Sequence, residues 1–220
     1  STIDVITPTM VSSSASKPVK VPVVSSARAK NRAIRVPDIS ILVPVMNEAG
    51  NIRPLIDEIC ATFAGRQFEI IYVDDASDDA TEGELLAILD DVPQLRVLRH
   101  TERAGQSAAI RSGLLQATGV LIGVLDGDGQ NVPGDFAVLE AALVDASKNG
   151  AMVMAAGIRQ HRNDSPIRLL ASRAAKWVRA SLLGDTHPDS GCGIKILPRV
   201  LFIQLPFFNH MHRFMPSLVR

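Results

Sequence analysis

From Ile39 onward, short apolar runs alternate with segments of helical period. ISILVPV (Ile39–Val45) is β-branched and almost continuously apolar, as expected of a strand covered on both faces. NIRPLIDEICATF follows with apolar residues at helical spacing, and Pro54 falls in its first turn, where a missing N–H is tolerated. FEIIYVD (Phe68–Asp74) predicts a second strand and DATEGELLAILDD a second helix. LRVLRH (95–100) predicts a third strand with GQSAAIRSGLLQAT as its helix. VLIGVL (120–125) predicts a fourth, a helix follows over about 133–148, and AMVMAAG (151–157) predicts a fifth. Strand and helix in alternation build right-handed crossover units. The expected architecture is therefore α/β, a mostly parallel sheet with helices on both faces.

In such sheets ligands bind beyond the carboxyl ends of the strands. The polar residues that interrupt the pattern lie there: Asn47 and Glu48 after the first strand, Asp74 and Asp75 after the second, Asp126 and Asp128 after the fourth. Acidic strand ends converging on one edge repel each other unless a cation sits among them. The first turn, VPVMNEAGN, has Gly50 alone, so it is not a dinucleotide-binding glycine loop. Counted from Asp126, loop positions six and twelve are Asn131 and Ala137, which excludes a calcium loop of the EF-hand type. What is left in VLDGDGQN is a carboxylate pair with the Gln130 amide oxygen. These are hard oxygen donors suited to Mg2+ or Mn2+, ions that usually complete their shell with substrate phosphates. Capping of the following helix is the alternative, and it needs one aspartate rather than two.

Composition adds boundaries. Before residue 37 the chain is Ser, Val, Pro and basic residues without period, with Lys17, Lys20, Arg28, Lys30, Arg32 and Arg35 against Asp4. Residues 1–36 therefore read as a disordered basic arm, either simply solvated or drawn to an anionic membrane surface, and residues 37–220 as one catalytic domain. The 23 basic and 23 acidic residues balance, which does not describe a nucleic-acid binder. Cys60 and Cys192 have neither zinc-site nor disulfide-framework spacing, pointing to a reducing, cytoplasmic setting. The opening STIDVITPTM does not have the form of a secretory signal. No apolar run reaches the roughly 18 residues of a membrane span, so any membrane association is expected to be peripheral.

VPVMNE, VDDASDD, VLDGDGQNVP and DSGCGIKI resemble, in order, the signature stretches of glycosyltransferase family 2, and HRFMPSL fits its polyprenyl-phosphate branch, the enzymes similar to dolichol-phosphate mannose synthase. The resemblance implies the single-domain nucleotide-sugar transferase fold (GT-A type). It implies transfer, with inversion, of a sugar from a GDP- or UDP-linked donor to a polyprenyl phosphate at a membrane surface. By the same resemblance Pro44, Met46, Glu48, Val73 and Asp75 hold the nucleoside, with Asp75 on the base. Asp126, Asp128 and Gln130 hold the metal, and the Gly127 backbone lies close to the donor. Arg159 and Lys195 contact the donor phosphates; Arg162, Arg168 and Arg173 are candidates for the acceptor phosphate, a solvated helix face being the alternative. Asp128, Arg159 and Asp189 are the catalytic candidates. Two positions depart from the family pattern: Ala76 stands where glycine is usual, and Arg103 where asparagine is frequent.

Two other functions share these motifs. One is a family-2 enzyme acting on a sugar hydroxyl, with Asp189 as general base, because a hydroxyl must lose its proton. The other is a catalytically silent nucleotide-sugar-binding domain. A lipid monophosphate is already ionised near neutral pH and needs only cations to hold it. The arginine-rich run from Arg159 to Arg173 favours that acceptor.

Overall fold

The computed structural model describes residues 23–24, 36–158 and 192–219. Its sheet contains β1 (Val23–Val24), β2 (Ile39–Val45), β3 (Phe68–Asp74), β4 (Leu95–Arg99), β5 (Leu121–Val124), β6 (Ala155–Ala156) and β7 (Lys195–Pro198), in the order β1-β4-β3-β2-β5-β7-β6. The β2/β3, β3/β4 and β2/β5 pairs are parallel. The helices are α1 (Ile52–Thr62), α2 (Thr81–Ile88), α3 (Gln106–Gln116), α4 (Asp135–Ala146), α5 (Arg199–Gln204) and α6 (Met215–Leu218).

Every residue of β2 is buried, because alternate side chains enter different cores. Ile39, Ile41, Val43 and Val45 pack with Ile56 of α1, Leu85 of α2 and Phe136 of α4. Leu42 packs on the other face with Ile110 and Leu114 of α3, Phe202 of α5 and Met215 of α6. A strand facing two cores has no polar face to show, which explains the continuous apolar pattern.

Pro44 in so central a strand needs a reason, since proline cannot donate to a ladder. The Leu42 carbonyl accepts from Leu125 N at 3.0 Å, so residues 42 and 44 direct their backbone groups toward β5. The β2/β5 register ends at Leu42 and Val124. Pro44 therefore faces the space past the end of β5, where its missing N–H breaks no ladder bond. With β3 on one side of β2 and β5 on the other, the chain connections diverge here, opening a crevice at the strand ends.

One expectation is corrected. The fifth strand, placed at 151–157, is reduced to Ala155–Ala156 and does not extend the parallel sheet. On the side away from β2, the neighbour of β5 is β7, antiparallel to both β5 and β6. Its residues return after a long excursion in sequence, a pairing that local periodicity does not carry. Within the segment read as an arm, Val23–Val24 pairs antiparallel with Leu98 and Val97 of β4, covering backbone groups that would otherwise form an open edge.

Glu69 shows that a buried acid need not mark a site. It lies toward the start of β3, away from the strand ends, and accepts from Ser40 Oγ (2.6 Å), Thr118 N (2.7 Å) and Arg96 (3.0 Å). Burial alone would raise its carboxyl, but hydrogen bonds from Ser40, Thr118 and Arg96 hold it below the usual range.

Candidate active site

Four loops leave the carboxyl ends of β2, β3, β4 and β5 and meet around the crevice. The first two are laced together. Asn47 N donates to Ser77 Oγ at 3.0 Å, and the Asn47 amide both donates to Asp78 Oδ1 (2.7 Å) and accepts from Asp78 N (3.0 Å). Glu48 N donates to Thr81 Oγ1 at 2.9 Å. Asn47 has φ of 59°, a left-handed conformation that asparagine tolerates better than most residues. The residues of VPVMNE and VDDASDD thus divide: Asn47 and Asp78 build the loops, while Pro44, Met46 and Glu48 line a cleft of about 310 Å³.

Ala76 is left-handed as well, with φ of 58°. This accounts for glycine being usual at that position, because a Cβ in this region costs about 1–2 kcal/mol. Ala76→Gly is expected to stabilise the protein by about 0.5 kcal/mol, the relief of strain outweighing the added freedom of the unfolded chain. A rise in Tm of roughly 1–2 °C in a thermal melt would show it, and a fall would show that the alanine is unstrained.

Asp74 and Asp75 are both buried and do different things. Asp74 accepts from Ser77 N (2.9 Å) and Arg99 (3.0 Å), fixing the loop behind the cleft. Asp75 faces the cleft, but both its oxygens are engaged. Oδ1 accepts from Ala104 N at 2.9 Å and lies 2.7 Å from His100 Nδ1; Oδ2 accepts from Gly105 N at 2.7 Å. The next link runs from His100 Nε2 to Ser112 Oγ at 2.9 Å. Asp75 therefore anchors the loop that starts α3. Val73, expected at the nucleoside, is wholly buried in the core beneath.

Beyond β5 the chain turns at Gly127, where a Cβ would lie 2.3 Å from Val45 Cγ1, so only glycine lets the two strand ends approach. Asp126 and Asp128 stand on the wall between two hollows. The first is the cleft already described, also lined by Asp75, Arg103 and Gln106. The second, about 530 Å³, is lined among the described residues by Gln130, Asn131, Gly157, Cys192 and Ile194. The two aspartates border both.

Asp126 is held from two sides. Gln106 Nε2, at the start of α3, donates to Oδ1 at 2.7 Å. Behind Oδ2 lies Gly193, where a Cβ would come within 2.0 Å. Asp128 makes a local bond, accepting from Gln130 N at 3.0 Å, while Gln130 itself is exposed. Among the described residues no three His, Cys, Asp or Glu side chains are grouped to hold a metal. Two carboxylates on an open wall fit an oxygen-seeking divalent ion that takes its remaining ligands from a bound phosphate and water.

Lys195 is buried at the start of β7, opposite Val124, and donates to the Cys192 carbonyl. Near it lies His212 of HRFMPSL, with Nδ1 2.7 Å from Ser107 Oγ. Burial, aided by Lys195, Arg213 and His210, pushes its imidazole down to about 4, so it is neutral at pH 7. The arrangement ties the C-terminal turn to the first turn of α3, next to Gln106. Arg159, Arg162, Arg168, Arg173 and Asp189 lie outside the described residues. Gln106 and Gly193 were not picked out from the sequence. DSGCGIKI contained Gly193, and a glutamine opening the third helix was the one signal of Gln106.

The chain matches the model of the family described as glycosyl transferase family 2 over residues 40–205. It is 30% identical over 200 residues to a dodecaprenyl-phosphate galacturonate synthase of Rhizobium johnstonii, covering 89% of this chain and 58% of that protein. It is also 30% identical over 188 residues to an undecaprenyl-phosphate 4-deoxy-4-formamido-L-arabinose transferase of Yersinia enterocolitica, covering 84% and 56%. The chain thus spans somewhat more than half the length of these relatives. Among solved structures, a mannosyltransferase from Pyrobaculum calidifontis in complex with GDP-Man and Mn2+ superposes with a TM-score of 0.55 at 20% identity, covering 77% of this chain and 47% of that one. Glucosyl-3-phosphoglycerate synthase from Mycobacterium tuberculosis, in complex with Mn2+, uridine-diphosphate-glucose and phosphoglyceric acid, does so at 0.57 and 22% identity, covering 78% and 60%. These likenesses establish a shared GT-A-like fold. With the match over residues 40–205, the aspartate pair at the diverging strand ends and the two hollows beside it belong to a member of glycosyl transferase family 2.

Proposed function

We propose that this chain carries the catalytic domain of an enzyme that moves a sugar, with inversion, from a nucleoside-diphosphate sugar to a polyprenyl phosphate. The observation that carries the reading is the position of Asp126 and Asp128 on the wall shared by two hollows. One hollow suits the nucleotide, and the other leaves room for the sugar and an approaching acceptor. The two relatives named for polyprenyl-phosphate substrates support the acceptor class. The two fold neighbours with nucleotide sugars and Mn2+ support the donor class and the divalent ion.

Asp126 and Asp128, with Gln130 beside them, would hold the ion. Bound there, Mg2+ or Mn2+ supplies positive charge where the nucleoside diphosphate leaves. The chain's own residues do the rest. Gln106 and Gly193 keep Asp126 in one orientation, the Gly127 backbone would lie close to the donor, and Pro44, Met46 and Glu48 shape the nucleoside side. Arg159 would meet the donor phosphates, and Arg162, Arg168 and Arg173 the acceptor phosphate. Asp189 would then orient neighbouring cations, because an ionised phosphate has no proton to give up. Access to such a lipid places the protein peripherally on a membrane; no helix among the described residues is long and apolar enough to cross one.

Titration calorimetry with UDP and GDP, each with and without Mn2+, tests the donor half, and turnover with a polyprenyl phosphate tests the acceptor half. Metal-dependent binding of at least one diphosphate is expected, followed by sugar transfer to the lipid phosphate. Binding without transfer to a phosphate, together with transfer to a sugar hydroxyl, would overturn the acceptor assignment.

A further inference from the structure

We infer that Arg103 is a further cation, beside the Arg159 named above, with which the donor cleft holds the nucleotide's diphosphate, a role that rests on the donor reading above. The cleft wall is acidic, with the carboxylates of Glu48, Asp75, Asp126 and Asp128. Such a wall attracts a divalent ion and repels a diphosphate. Arg103 is the basic side chain among the described residues that line this cleft. It is exposed, and although carboxylates surround it, no described residue forms a hydrogen bond or ion pair with it.

Geometry explains why so long a cation stays unpaired beside so many acids. Asp75 takes its hydrogen bonds from the backbone immediately after Arg103, at Ala104 N and Gly105 N. The carboxylate is spent on the loop, and the loop in turn holds the Arg103 backbone over the cleft. Glu48 accepts from Asn51 at 2.9 Å, outside the cleft wall. Asp126 accepts from Gln106, three residues beyond Arg103. The guanidinium is thus presented on a fixed loop at the cleft that also holds the aspartate pair. Its planar fork matches two phosphate oxygens at once. A diphosphate in this cleft would meet the Arg103 charge, which offsets part of the negative wall.

The test compares wild type with Arg103→Ala and Arg103→Lys in the whole chain, titrating UDP and GDP with Mn2+ and, separately, uridine and guanosine at millimolar concentration. Because the side chain is exposed and unpaired, both variants should melt as wild type does. Arg103→Ala should weaken the bound diphosphate roughly ten- to hundredfold, the range of a charge-assisted hydrogen bond. It should leave nucleoside binding nearly unchanged, and Arg103→Lys should recover part of the loss. An unchanged diphosphate Kd in Arg103→Ala overturns the assignment. An equal loss for nucleoside and diphosphate also overturns it, by moving the contact to the base. If wild type binds neither diphosphate in a metal-dependent way, the donor reading fails first and this assignment falls with it.

Discussion

Asp128→Ala is expected to abolish metal-dependent binding of the donor diphosphate while leaving the fold intact. The wall offers two carboxylates, and among the described residues no third acidic side chain is grouped to replace one. Losing one removes a ligand and half of the formal charge of the aspartate pair. The effect on the diphosphate Kd in Mn2+ should be about a hundredfold or more, because each tenfold corresponds to about 1.4 kcal/mol and a metal contact plus its charge is worth at least twice that. Stability should hardly change. Asp128 is only partly buried and accepts one hydrogen bond, from its own loop, and its removal relieves repulsion with Asp126. Calorimetry with and without Mn2+, beside a thermal melt, reads both quantities. A variant that binds and turns over donor at the wild-type level would remove the metal from Asp128.

Asp75→Ala should behave in the opposite order, with a large loss of stability first and weaker donor binding as its consequence. Three donors converge on this carboxylate or face it: Ala104 N, Gly105 N and His100 Nδ1. Removing it leaves them without their partner in a buried setting, at about 1–3 kcal/mol for each group left unsatisfied. Partial rescue by water leaves an expected total of about 3 kcal/mol, a fall in Tm of roughly 6–12 °C for a chain of this size. Donor affinity should drop along with it, since Arg103 stands on the loop that comes loose and Gln106 on the first turn of the helix it leads into. If Asp75→Ala melts like wild type but no longer binds diphosphate, then Asp75 reads the ligand directly and does not anchor the loop.

The parts legible in sequence were those whose physics is local. The bounds expected for β2 and β3 coincide with the observed strands, because a strand covered on both faces leaves a continuous apolar run. The acidic strand ends were legible because carboxylates at the ends of buried apolar strands are costly without a donor or a cation to meet them. The ordered motifs around them were enough to find the family. Ala76 was legible only as a departure from the family pattern; its left-handed φ came from the structure.

Tertiary structure decided what depends on residues far apart in the chain. It placed β7 between β5 and β6, where local alternation had predicted a fifth parallel strand, because that pairing joins segments separated by a long excursion. It brought Gln106 onto Asp126 and set Gly193 behind the same carboxylate, contacts across 20 and 67 positions that no spacing rule reaches. It also divided neighbours that look alike on paper. Asp74 turns to Arg99 and Asp75 to the loop before α3, so two adjacent aspartates serve different loops. An acidic residue at a strand end is a statement about composition and position. Whether its oxygens meet a metal, a base or a backbone N–H is settled by which loop the fold brings against it.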